Sequence, residues 1–404
     1  CGGEVMATPK LRFKEFDGDW TSKQLGKIIG ISSASRVFKE QWQDSGVPFF
    51  RTSDVVSIFK NKENEKAYIS LELFEELAKK SGKIKQGDLL VTGGGSIGIP
   101  YLVPNDQPLY FKDADLLWMK SSGIVEGSFL YNFFISPKFR EYLKSISHTG
   151  TISHFTIEQA KATPFGFPSK EEQTKIASFL SNVDEKISQL TQKLELLSQY
   201  KQGMMQKLFS QQIRFRADDG SEFGEWEEKE LKDIAEINPK SKKLPESFIY
   251  IDLESVEKGQ LLLQKNIELQ DAPSRAQRLL AKGDVLFQMV RPYQQNNYYF
   301  NLSGEYVAST GYAQIRTKLD SKFIYYALHE KTFLDEVMNR CTGTSYPAIN
   351  SSDLSSIEIL IPCLEEQTKI ANFLSAIDQK IEVVAQQIEQ AKQWKKGLLQ
   401  QMFV

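Results

Sequence analysis

Histidine and cysteine are scarce, with three of each among 404 residues. Cys1, Cys341 and Cys363 lie far apart and form no Cys-x-x-Cys pair, and only His148, His154 and His329 are available to join them, so the sequence predicts no metal site. No apolar run approaches the roughly 20 residues that a membrane helix needs, and the start of the chain lacks the basic-then-apolar order of a secretory signal. The expectation is a cytoplasmic protein with no membrane partner. A net charge of −2 withholds the basic balance usual in nucleic-acid binders, so any surface for DNA must come from local segregation of charge. Motifs of chemistry are missing as well: there is no Gly-Lys-Ser/Thr phosphate loop, no Asn/Asp-Pro-Pro-Tyr methyl-transfer motif, no His-Glu-x-x-His and no nucleophile elbow. His154 near Glu158 is a commonplace structural neighbourhood, so the chain is expected not to be an enzyme.

What the chain does contain is a repeat. Pro168-Ser169-Lys170-Glu171-Glu172-Gln173-Thr174-Lys175-Ile176-Ala177-Ser178-Phe179-Leu180-Ser181 returns as Pro362-Cys363-Leu364-Glu365-Glu366-Gln367-Thr368-Lys369-Ile370-Ala371-Asn372-Phe373-Leu374-Ser375, and about half of all positions match through Phe209 and Phe403. Fainter pairs precede these tails in the same order. Arg12-Phe13 and Trp20 answer Arg214-Phe215 and Trp226, Gly87-Asp88 answers Gly283-Asp284, and Phe129-Leu130-Tyr131 answers Phe323-Ile324-Tyr325. With 41% hydrophobic residues the chain can bury ordinary cores, and the repeat reads as domain, rod, domain, rod. The boundaries are residues 11–167 and 213–361 for two globular domains of α/β or α+β class, and 168–212 and 362–404 for two rods. Residues 1–10, where Cys1-Gly2-Gly3 precedes Met6, read as an added or processed end.

Each rod carries a coiled-coil seam. Ile176, Leu180, Val183, Ile187, Leu190, Leu194, Leu197, Met204 and Leu208 follow steps of four and three broken at Lys201; Ile370, Leu374, Ile377, Ile381, Val384, Ile388, Ala391, Leu398 and Met402 do the same, broken at Lys395. No proline interrupts either, so two helices of roughly 40 residues are expected to pack as an antiparallel pair within the chain, with the globular domains at opposite ends. Ser169 and Glu172 fit a capping box, whereas the second copy has Cys363 at the cap and should start less firmly.

Within the globular segments, helices are expected over residues 129–145 and 323–340. The run Thr92-Gly93-Gly94-Gly95-Ser96 follows a strand but ends at Pro100 instead of opening a helix, so it reads as a flexible turn or a place where backbone approaches DNA. The second domain has no such glycines at the matching place; Gln288, Arg291, Gln294, Gln295, Asn296 and Asn297 stand there, side chains suited to adenine and guanine edges or to a solvated polar loop. Tyr293, Tyr298 and Tyr299 are expected to pack beneath that loop. Thr149-Gly150-Thr151 and Thr342-Gly343-Thr344-Ser345-Tyr346 each follow a helix and suit phosphate contact or a helix-terminal glycine turn.

The tails, with Glu-Glu-Gln-Thr-Lys-Ile-Ala, Phe-Leu-Ser and then Asp184-Glu185-Lys186-Ile187 or Asp378-Gln379-Lys380-Ile381, resemble the conserved regions of type I restriction specificity subunits. Weaker pieces agree, among them Phe50-Arg51-Thr52-Ser53-Asp54, Gly87-Asp88-Leu89-Leu90 and Val290-Arg291-Pro292. The resemblance spans nearly the whole chain. It implies a bacterial, cytoplasmic, non-catalytic subunit in which each globular domain reads half of a bipartite target in double-stranded DNA, while the helices set the spacing and dock two methyltransferase subunits. Restriction subunits complete such a complex, and S-adenosylmethionine, ATP and Mg belong to those partners, with no cofactor in this chain. The candidate DNA-facing residues on this view are Thr52, Ser53, Thr92, Gly94, Gly95, Ser96, Thr149, Gly150, Thr151, His154 and the second domain's Gln288, Arg291, Gln294–Asn297 and Thr342–Tyr346. A scaffold whose globular domains bind proteins is the alternative.

Overall fold

Two uninterrupted helices, Lys170–Phe209 of 40 residues and Leu364–Met402 of 39, dominate the computed structural model, each about 60 Å long at ~1.5 Å per residue. The structure describes residues 8–112, 115–146, 154–240 and 243–404. The chain divides into two compact units, Cys1–Thr191 with Gln386–Val404, and Gln192–Ala385. Each unit therefore contains one globular segment together with part of both long helices.

The two units have the same internal plan. In the first, a four-stranded antiparallel sheet runs Gly30–Ser32, Leu116–Lys120, Leu89–Thr92, Pro100–Leu102; in the second the order is Ala235–Ile237, Tyr312–Thr317, Val285–Gln288, Tyr298–Tyr299. A second sheet in each contains one parallel pair, Val47–Phe50 with Tyr110–Phe111 and Ser247–Ile251 with Tyr306–Ser309. A two-stranded ribbon, Thr21–Gln24 with Pro164–Phe167 or Glu227–Glu230 with Glu358–Ile361, leads into each long helix. The fold is α+β, and its variable part is an insertion. The first unit has helices Thr52–Phe59 and Leu71–Ser81 where the second has a short hairpin, Val256–Glu257 with Gln260–Leu261.

The single helices expected over residues 129–145 and 323–340 are each two. Pro137 has no amide to donate and Ser136 before it is extended, so Gly127–Ile135 ends there; the Ser136 hydroxyl then caps Pro137–Ser145 by accepting from Phe139 N. In the second unit Glu330 caps Lys331–Asn339 after Ser321–Ala327 has ended.

The capping box also needs correction. Glu172 N does face Ser169 Oγ at 3.4 Å, but the Glu172 carboxylate is buried, accepting two 2.7 Å bonds from Arg12 and one of 3.4 Å from Trp20 Nε1. Glu366 does the same with Arg214, at 3.1 and 2.7 Å, and with Trp226 at 3.1 Å. Next to each carboxylate, a buried glutamine joins the helix to the domain: Gln173 accepts from Glu126 N and donates to Pro168 O, and Gln367 accepts from Asp320 N and donates to Pro362 O. The repeated Glu-Glu-Gln is thus the joint between long helix and globular segment. Removing the carboxylate leaves a guanidinium and an indole N–H short of a partner inside that joint. Glu366→Ala is expected to cost about 3 kcal/mol, read as a fall of roughly 6–12 °C in the second unit's calorimetric transition; a shift below ~2 °C would mean water replaces the carboxylate.

The ends of the long helices also close the two cores. In the first unit Ile176, Leu180, Leu398 and Phe403 join Phe129, Phe133 and Phe165 in one cluster, with Phe129 and Phe403 centroids 5.1 Å apart. In the second, Leu208, Ile370 and Leu374 join Phe287 and Phe323, and Phe209 lies 5.5 Å from Phe323. Of the seam residues, Ile176, Leu180, Val183, Leu190, Ile370, Leu374, Ile377, Val384 and Ile388 are buried, while Ile187, Leu194, Leu197 and Ile381 are half-buried. The helices run antiparallel. In the first unit the ring of Phe179 meets Trp394 and Asp184 accepts from Lys395; in the second Lys201 pairs with Asp378 at 2.6 Å. The two lysines that interrupt the heptads are therefore cross-helix partners of the aspartates that open Asp-x-Lys-Ile.

Candidate nucleic-acid interface

In both units the strand at the centre of the four-stranded sheet ends in a loop held against a second loop by the same backbone bonds. In the first unit Gly93 N donates to Asp115 O at 2.8 Å and Phe155 N to Gly93 O at 2.7 Å; in the second Met289 N donates to Gly311 O at 3.0 Å and Ile349 N to Met289 O at 3.1 Å. The scaffold is shared and the side chains on it differ.

On the first unit the loop is closed from within by Thr92, which is fully buried: its hydroxyl accepts from Ile99 N at 2.9 Å and donates to Ser96 O. Gly98 lies at φ +70°, and a Cβ there would sit 2.8 Å from Leu143 and 2.9 Å from Phe139, so the turn admits no other residue without movement. Gly95 and Ser96 form the exposed tip. Gly94 is buried and bridges to exposed His154, while Thr52, at the start of its helix, donates to Asp115 O at 3.3 Å beside Gly95. Ser53 is exposed and accepts from Asn64. Thr52, Gly94, Gly95, Ser96 and His154 thus share one patch with Thr92 beneath it; Thr149, Gly150 and Thr151 lie outside the described residues.

On the second unit the polar run sorts into scaffold and tip. Gln288 is 2% exposed and uses its whole amide inside the loop: Nε2 donates to Val290 O and Gln294 Oε1, and Oε1 accepts from Asn296 N. Asn297, at 1%, accepts from Gln288 N, and Asn296 accepts from Lys258 N. Gln288 and Asn297 therefore shape the loop instead of facing outward, a difference from the expectation that has a simple cause, since buried amides must find partners. Arg291 and Gln295 hold left-handed backbone, φ +53° and +52°, which costs non-glycine residues about 1 kcal/mol or more. Arg291 is held there by Pro347 O, which accepts its N–H at 2.7 Å, and its guanidinium lies 4.3 Å over the ring of Tyr346. Tyr346 is 63% exposed and Tyr293 51%, so Tyr293 stands at the surface, contrary to expectation, whereas Tyr298 does pack beneath. Thr344 and Ser345 are exposed beside Tyr346, and Gly343, at φ +89°, belongs to a turn closed by paired Thr342 and Ala348 and not to the helix end, which is capped at Arg340.

One half-buried histidine supporting this loop has no motif to reveal it. His329 Nδ1 donates to Tyr325 O at 2.7 Å, leaving Nε2 to accept from Asn297 Nδ2 at 3.4 Å. Burial, with Lys201 nearby, pushes this imidazole from its ordinary 6.5 down to about 4. Below pH 6.5 the unfolded chain takes up a proton that the folded one refuses, so this contribution to stability is complete above about pH 6.5 and is lost as the pH falls toward 4. The second unit's melting temperature is expected to drop between pH 7 and 5, with a shallower drop in His329→Gln; equal slopes would assign the effect to other groups.

The family model described as the type I restriction modification DNA specificity domain matches residues 17–199 and again 224–393. The chain belongs to that family. Its two matches coincide with the internal repeat, one in each half. The MjaVIII specificity subunit of Methanocaldococcus jannaschii is 27% identical over 289 residues, 67% of this chain and 68% of the relative, and the MjaIX specificity subunit of the same organism is 26% identical over 433 residues, covering 96% and 95%. A crystal structure of the type I restriction-modification S subunit from M. genitalium shares the fold, with a TM-score of 0.59 at 18% identity over 98% of this chain and 99% of that one. As a specificity subunit, the chain is a non-catalytic part of a restriction-modification system. Among the described residues no helix is long and apolar enough to cross a membrane.

Proposed function

We propose that the two loop patches read the two halves of a bipartite target in double-stranded DNA, and that the long helices set the number of unread base pairs and dock two methyltransferase subunits, with restriction subunits joining in the full complex. The observation that carries this reading is that one backbone scaffold, repeated in both units, presents different side chains: Thr52, Ser96 and His154 in one, Arg291, Tyr293 and Tyr346 in the other. Two readers of unlike sequence need that arrangement. S-adenosylmethionine, ATP and Mg would act on the partner subunits, in the cytoplasm, and this chain would bring adenines to them. Arg291 is the strongest single reader, since a guanidinium stacked on Tyr346 matches the paired acceptors of a guanine in the major groove.

Long-read modification mapping of cells carrying the methyltransferase subunit, with and without this chain, should reveal a chain-dependent split motif. Arg291→Ala should relax one position in one half of it, by about 10- to 100-fold. A wild-type chain that directs no motif, beside a methyltransferase active with another specificity subunit, would favour the protein-binding scaffold.

A further inference from the structure

In the first unit the helix Pro137–Ser145 and the last turns of the second long helix border an open cleft whose wall carries Arg140, Lys144, Lys392, Lys395 and Lys396, with Glu141 its one carboxylate among the described residues. Lys395 is bonded to Asp184 and Lys392 to Glu389. Lys144 and Lys396 are exposed and form no ion pair with a described residue, and Arg140 donates to the carbonyl of Ile97 at 3.2 Å, not to an acid. Cations therefore outnumber carboxylates in a chain that is slightly acidic overall, and gathering them is unfavourable unless an anion joins them.

The repeat supplies an internal control. The pairing of Phe129 with Phe323 and of Phe403 with Phe209 places Leu334, Met338, Ser198 and Gln202 where the first unit has Arg140, Lys144, Lys392 and Lys396. The second unit has a cleft at that place, lined by Ser198, Gln202 and Leu334 together with His329 and Lys201. Lys201 corresponds to Lys395 and is likewise occupied, by Asp378, and Lys331 at the rim is paired with Asp335. The fold thus forms this cleft without the extra cations, so folding does not account for them.

We propose that the first unit's cleft grips the DNA phosphate backbone beside its half-site, a contact independent of sequence that the second unit does not make at the equivalent place. This rests on the DNA-reading function proposed above. DNA is favoured over an acidic protein segment because Arg140 holds the carbonyl of Ile97, the residue after Ser96 at the exposed tip of the candidate reading loop. A duplex whose bases face Ser96 brings its own phosphates toward Lys144 and Lys396.

The test uses the complex assembled with methyltransferase subunits, a duplex carrying the mapped motif and one lacking it, and fluorescence anisotropy from 50 to 200 mM salt. The double variant Lys144→Gln/Lys396→Gln should weaken binding to both duplexes by a similar factor, roughly tenfold at the low-salt end, and flatten the slope of log affinity against log salt by about 2, while the methylated motif stays the same. Lys331→Gln, in the second unit's cleft, should change neither. A slope unchanged in the double variant overturns the proposal, as does a change in the motif itself. So does failure of that variant to assemble with the methyltransferase subunits, which would make the cleft a protein-docking site. If the wild-type complex binds the motif duplex specifically and only the slope prediction fails, the DNA-reading function stands; if the wild type binds neither duplex, both readings fall.

Discussion

Replacing residues 11–167 with the corresponding segment of another specificity subunit is expected to rewrite one half of the methylated motif and to leave the other half and the spacing untouched. The physical reason lies at the joint. The globular segment meets the long helices through Arg12 and Trp20 on Glu172, the Glu126 amide on Gln173, and Phe129 and Phe165 beside Phe403, and the second unit has the same joint in Arg214, Trp226, Glu366, Gln367 and Phe323. A donor that keeps the joint residues can differ everywhere else, as the two units of this chain already do in their inserted helices and hairpin. The readout is the motif mapped by long-read sequencing, with a melting curve to establish that the chimera is folded. A motif altered in both halves would show that the two patches do not read independently.

The second large effect concerns spacing. Asp184 with Lys395 and Lys201 with Asp378 obey one antiparallel register, because the residue numbers in each pair have the same sum. Deleting residues 188–194 together with 385–391 removes matched heptads between these pairs, preserves both lysine–aspartate contacts and keeps the apolar seam in phase. Seven residues at ~1.5 Å shorten each helix by about 10 Å, so the unread spacer should shrink by roughly 3 base pairs at ~3.4 Å each, with both half-sites unchanged. An unaltered spacer would sink the ruler. Deleting either heptad alone should instead break one lysine–aspartate match and lower the melting temperature without giving a new defined spacing.

The helices, the repeat and the lack of catalytic motifs were legible because each depends on spacing along the chain. Legibility stopped where a side chain's surroundings come from distant sequence. Ser169 and Glu172 have the spacing of a capping box, yet Arg12, 160 residues away, takes the carboxylate. The polar run from Gln288 to Asn297 reads as uniformly available, yet two of its amides are buried and only neighbours such as Pro347 and Tyr346 distinguish Arg291 from them. Pro137 was a visible local signal for the break between Gly127–Ile135 and Pro137–Ser145, because proline cannot donate within a helix and favours an extended residue before it.

By itself the sequence determined a duplicated chain with two long amphipathic helices, two mixed globular segments and a family resemblance borne by the repeated tails, since periodicity and self-similarity survive without coordinates. Only the tertiary structure decided that the helix ends complete the two cores, that Lys201 and Lys395 are partners of Asp378 and Asp184, and that His329, 32 residues from Asn297, supports the second loop. Those are decisions about burial and pairing. They depend on which distant groups exclude water from one another, and no local pattern records that.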